Sequence, residues 1–415
     1  MAASAAVGTV PAHAAPTGNT PRSALIIIVN WAAGNGTPAA PADGMTPAAA
    51  AGQVGGTDVG WYQQVSYAQF PGWNAAAVGP YTINTPPLDT GGTCVNSFRA
   101  NIQAGANQAA ATAGFNVSNY SVVMYYFSNV PQCGWGGWTI GNLVWINGAM
   151  NTATTAHELG HTLALWHGHS QTCTNGAGTQ VPLSANCQTA EYGDVYEVMG
   201  CCGPGSFSAI HKYDLGWMSG RMQTVPATGG TYTLQPLEAA AGGLQALRVV
   251  DGNETLWLEY RQPIGVDSWL SPASTNGVLI HRQLPDVSGP LGSYLLDLTP
   301  GSTAGFSDAP LPPGSSWTNP LGHMTITVNS AGPSGAVVTL TSNLISVPNV
   351  VGLDPASAKA ALTAAGLKAN LQSVVDPTCN HLGEVMSQSP AGGTLVNPGS
   401  VVTIRVGRPP AKPCP

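Results

Sequence analysis

His157-Glu158-Leu159-Gly160-His161 places two imidazoles four residues apart with a carboxylate beside the first. Residues i and i+4 share one helical face, roughly 6 Å apart, so both rings can reach one cation. Imidazole nitrogens at about 2.1 Å suit Zn²⁺. Glu158, one residue round the helix, stands beside the metal rather than on it, where it can take a proton from a zinc-activated water. His167, six residues beyond His161, is the candidate third ligand, which would leave a fourth zinc position for water. His169 is the nearest substitute for His167, and Asp194 and Glu197 are candidates if the third ligand is a carboxylate. The chemistry implied is metal-assisted hydrolysis, with Glu158 as general base. Zinc stabilises the oxyanion, with Tyr213 or Tyr196 as candidate donors to it.

The elements that must position these residues can be read coarsely. Asn151 is a suitable N-cap for a helix running to about Leu165. Ala24–Trp31 reads as a buried strand, and Ser121–Ser128 and Asn142–Asn147 as further strands. Ser97–Ala113 repeats apolar residues on one helical face and stops at Gly114. The order strand, helix, strand, strand, helix predicts an α/β unit with a helix on each side of a sheet. Ala32 to about Gly92, rich in Ala, Gly, Pro and Thr, yields no clear elements. After Trp217 seven short β-rich runs, from Thr231–Leu234 to Ala336–Thr341, are separated by turn residues and predict a β-sandwich. Near Val347 a third unit begins. Asp354 caps a helix with Pro355 at its first position and Gly366 at its end, and two strands follow.

The chain has 415 residues, so several domains are expected. Charged residues are 7%, against about 25% in typical soluble proteins. The net charge of −7 and the lack of any Lys/Arg cluster argue against a nucleic-acid partner. No apolar run reaches the roughly 18 residues of a transmembrane helix. Eight cysteines without a C-x-x-C suggest disulfides and an oxidising compartment. The expected pairs are Cys94–Cys133, Cys379–Cys414, and Cys173 and Cys187 with Cys201 and Cys202. Ala12-His13-Ala14 fits a signal-peptide cleavage site, with a disordered leader as the alternative.

The run from His157 to His167 resembles the metzincin zinc signature, and Glu191–Gly200, with Met199, resembles its Met-turn. Metzincins usually carry Gly where this chain has Ala164. Ala in a left-handed turn costs roughly 1–2 kcal/mol, so a differently made turn is expected. Tyr192–Met218, Ser121–Ser128 and Cys133–Trp138 are similar to gametolysin-type metallopeptidases. Leu258–Pro263 and Gly277–Arg282 resemble the β-domain that often follows, with His281 and Arg282 as strand residues. Val347–Gly352, Ser387–Pro390 and Gly399–Thr403 resemble a PASTA domain, which implies a cell-envelope association and peptidoglycan as a partner.

The expected architecture is therefore multidomain. Residues 1–21 are a leader, 22–220 an α/β metzincin-like catalytic domain, 221–343 an all-β sandwich, 344–410 a small α+β PASTA-like module and 411–415 a tail. The resemblance implies a secreted zinc endopeptidase acting on extracellular polypeptides, free or associated with the cell wall. The alternatives are an envelope-binding protein with a non-catalytic zinc site and a peptidase for peptidoglycan cross-links.

Overall fold

The computed structural model describes residues 21–31, 44–84, 93–94, 97–200, 203–285 and 292–411. Residues 1–20 of the expected leader, Cys201, Cys202 and Cys414 lie outside them.

The first sheet contains β1 (Arg22–Trp31), β2 (Trp73–Ile83), β3 (Val122–Phe127), β4 (Gly137–Ile140) and β5 (Leu143–Asn147), in the order β2-β1-β3-β5-β4. All pairs are parallel except β4 with β5, so β4 is an antiparallel edge. Ala24–Val29 of β1 and all of β3 are apolar because both sheet faces are covered there. Ile26, Ile28, Met124 and Tyr126 enter one core; Leu25, Ile27, Val123 and Tyr125 enter the other. Helices α1 (Pro47–Gly52) and α2 (Val59–Val65), joined by a π-helical turn over Gln53–Asp58, cover the first face; α3 (Phe98–Thr112) covers the second. β2 was hidden in the stretch without clear elements. Its alanines and Pro80 are poor strand formers, and an edge strand tolerates proline.

The helix expected from Asn151 to Leu165 is α4 (Thr152–His161). Asn151 caps it, its side chain accepting from Thr154 N at 3.2 Å. It ends early because Ala164 adopts φ +66°. Leu165 N then donates to Gly160 O and Ala164 N to His161 O, a Schellman closure with alanine where glycine is usual. The turn is thus made in the left-handed region after all, with the strain retained.

Downstream come β6 (Gly168–Thr174), β7 (Gln180–Val181), β8 (Cys187–Ala190), α5 (Ala209–Asp214), β9 (Met222–Val225), β10 (Gly229–Leu234), β11 (Ala246–Asp251), β12 (Glu254–Tyr260), β13 (Val278–Leu284), β14 (Gly292–Leu296), β15 (Ser316–Thr318), β16 (Met324–Gly332) and β17 (Gly335–Ser342). All seven expected β runs fall wholly or mostly in strands; β9 and β15 were not anticipated. An eight-stranded sheet runs β7-β6-β14-β13-β12-β11-β9, with β8 on β6, and a four-stranded sheet runs β10-β17-β16-β15. The two share one core, with Leu247, Leu258 and Ile280 from the first and Leu234, Ile326 and Val338 from the second. β6 pairs in parallel with β14, Gly168 opposite Ser293. The sheet therefore crosses the boundary expected at residue 220. Cys94–Cys133 forms as expected. Cys173 instead pairs with Cys187, because the β6–β8 ladder sets them directly opposite one another. Cys379 is disulfide-bonded.

The C-terminal module contains β18 (Ile345–Ser346), α6 (Pro355–Ala364), β19 (Lys368–Val375), β20 (Val385–Ser389), β21 (Leu395–Val396) and β22 (Val401–Arg408). Asp354 caps α6, accepting from Ala356 N and Ser357 N. Its core, including Val350, Leu362 and Ile404, comes wholly from this segment. No helix among the described residues is long and apolar enough to cross a membrane.

Candidate metal centre

α4 points two faces in different directions. Ala156, Leu159 and Gly160 are buried against α2 and the 191–200 segment; His157, Glu158 and His161 line an open cleft of ≈ 520 Å³. Tyr62 of α2 braces the helix by donating to Ala156 O at 2.7 Å. Met199 is fully buried beneath it, where a β-carbon on Gly160 would lie 2.6 Å from the Met199 sulfur. Helix and Met199 segment can approach this closely only because residue 160 is glycine.

His157, His161 and His167 come together, one ring nitrogen of each lying within 4.8 Å of the others. His157 Nδ1 donates to Val198 O at 2.8 Å and His161 Nδ1 to Leu165 O at 2.9 Å. A carbonyl only accepts, so each Nδ1 must carry the proton. Desolvation pushes both rings down to about 4, so near neutral pH each Nε2 bears a lone pair. Those two Nε2 atoms face each other at 3.1 Å. Two facing lone pairs repel unless a cation lies between their axes. His167 Nδ1 donates to Glu191 Oε1 at 2.7 Å, which fixes the third ring in the same sense. Nδ1 tied to an oxygen and Nε2 left for metal is the usual arrangement of a zinc-binding histidine. These residues fit a zinc ion.

The other candidates lie elsewhere. His169 is buried and stacks on Tyr294 at 4.7 Å. Asp194 is bound to His281 at 2.8 Å, and Glu197 to His211 at 2.8 Å. Tyr196 donates to Ser307 O, and Tyr213 packs on Trp257, so neither reaches the cleft.

Glu158 is buried except where it meets the cleft, and burial pushes its carboxyl up to about 7. Thr139 of β4 donates to its Oε2 at 2.6 Å and to its backbone carbonyl at 3.1 Å. A β-carbon on Gly137 would lie 2.3 Å from Oε1, so glycine there makes room for the carboxylate. Thr139, Glu191 and Tyr192 were not singled out from the sequence as site residues. Thr139 carries no local signal, since only the sheet order brings β4 to α4. Glu191 and Tyr192 open the segment recognised for Met199, and the fold alone turns them to the cleft.

A family model for the PASTA domain matches residues 345–408, so the C-terminal module is a PASTA domain. No match is found among curated proteins.

Proposed function

We propose that this chain is a secreted zinc-dependent endopeptidase, of metzincin and gametolysin-like type, that cleaves extracellular polypeptides. One observation carries the reading. Three imidazoles present convergent lone pairs, and a carboxylate with one free oxygen stands beside them in an open cleft. A structural zinc site has no use for that carboxylate.

His157, His161 and His167 would hold the ion, which supplies Lewis-acid polarisation of a peptide carbonyl and of water. Thr139 holds Glu158 by Oε2 and leaves Oε1 to accept the proton of the attacking water. Glu158 then passes that proton to the departing amine nitrogen. β4 borders the cleft as the free edge of its sheet, where an extended substrate can add as a further strand. The two described disulfides suit an oxidising, extracellular setting.

Metal analysis of purified protein, with casein digestion with and without a chelator, tests the reading. Glu158→Gln should abolish cleavage and keep zinc, whereas His157→Ala should lose both. Wild-type turnover by Glu158→Gln would end the proposal. The PASTA domain favours a second reading, in which the substrate is the peptide cross-link of peptidoglycan. Parallel digests of purified peptidoglycan and denatured protein separate the two. Zinc binding without cleavage of either would leave an envelope-binding protein with a non-catalytic zinc site.

A further inference from the structure

Tyr192 lines the cleft on a backbone of φ +59°, the left-handed region that a β-carbon disfavours. Backbone held in that region by its surroundings concentrates at functional sites. Its side chain is not buried to compensate, since it remains 42% exposed. The ring lies over His167, centroids 3.8 Å apart, and is stacked towards His157 at 6.0 Å. Glu191, the preceding residue, accepts from His167, so the dipeptide is pinned to the third imidazole. Two residues lining the cleft carry hydroxyls, Thr139 and Tyr192. Thr139 is committed to Glu158. The Tyr192 hydroxyl has no hydrogen-bond partner among the described residues.

Peptide hydrolysis builds negative charge on the carbonyl oxygen, and a fixed neutral donor aimed there lowers the barrier. We propose that Tyr192 is a catalytic residue whose hydroxyl donates a hydrogen bond to the scissile carbonyl oxygen as that charge develops. No proton changes hands at the phenol; Glu158 remains the group that moves it. Glu158 is held against β4 and Tyr192 against His167, so a carbonyl between these walls meets the base from one side and the donor from the other. The assignment rests on the endopeptidase reading.

The test compares full-length wild type with Tyr192→Phe, which keeps the ring on His167 and removes only the hydroxyl. Zinc content should be unchanged and kcat should fall about 100-fold with KM nearly constant. Affinity for a phosphinic peptide, a tetrahedral mimic, should fall in parallel, while affinity for the cleaved product peptide should hold. Unchanged kcat and phosphinic affinity, or a loss of zinc that accounts for the lost activity, would overturn the assignment and leave the endopeptidase reading intact. A wild-type protein without chelator-sensitive cleavage would overturn both.

Discussion

Ala164 decides whether the chain leaving α4 doubles back far enough to return His167 to the other two imidazoles. It does so at φ +66°, where a methyl group meets the following carbonyl at a cost of roughly 1–2 kcal/mol. Ala164→Gly removes that clash but loosens the unfolded chain by about 0.4–1 kcal/mol. A net gain of about 0.5–1 kcal/mol in stability is expected, read as a higher urea midpoint with zinc affinity preserved. A lower midpoint would show that the turn is not strained. At this scale the sequence was informative where geometry is local. His157 and His161 share a helical face whatever surrounds them, whereas His167, six residues on, rejoins them only through the turn at Ala164. Thr139 and Tyr192 reach the cleft only through the sheet order and the return of the 191–200 segment. No spacing along the chain encodes either.

The 191–200 segment supplies the carbonyl that orients His157, and two buried pairs hold it: Asp194 with His281 on β13 and Glu197 with His211 on α5. Burial alone would raise Glu197, but the His211 imidazolium opposite holds it down to about 2. Burial alone would lower His211, yet Glu197 keeps it above its ordinary 6.5. At Glu197 the unfolded chain binds more protons than the native one from about pH 2 to its ordinary 4.5, so stability from the pair grows with pH there. At His211 the native chain binds more above 6.5, so that stability is lost as pH climbs through the raised value. Against the non-titrating double variant Glu197→Gln/His211→Gln, the wild-type advantage in thermal unfolding should peak between about pH 4.5 and 6.5 and shrink on both sides. A pH-independent difference would mean the pair is not ionised. Neither pairing, across 14 residues for Glu197 and 87 for Asp194, is encoded in a local motif, which is why Asp194 and Glu197 read as spare ligands in sequence. β1 and β3 were legible because both faces of a central strand demand apolar residues. β2 was not, because alanine and proline at an edge leave no such mark.

The N-terminal α/β unit and the β-rich unit after it do not divide where composition changes. β6, which starts at the residue after His167, is a neighbour of β14 in the same sheet. Arg261, fully buried, ties Glu259 and Asp267 to the carbonyls of Ser206 and Phe207. A chain ending at Asn343 should keep zinc and full activity on soluble protein, because the PASTA domain has a core of its own. It should also lose retention on purified cell-wall sacculi. A chain ending at Gly220 should be insoluble or zinc-free, and a soluble, zinc-loaded product would contradict the shared sheet. If the chain is exported as proposed, the pairing of β6 with β14 also sets an order of events during that export. Until Gly292–Leu296 has emerged from the translocation channel, the strand leading away from the third imidazole has no neighbour to dock on. On the proposed reading a half-delivered chain would then be inactive, and zinc uptake by stalled chains of increasing length should begin only once that strand is outside.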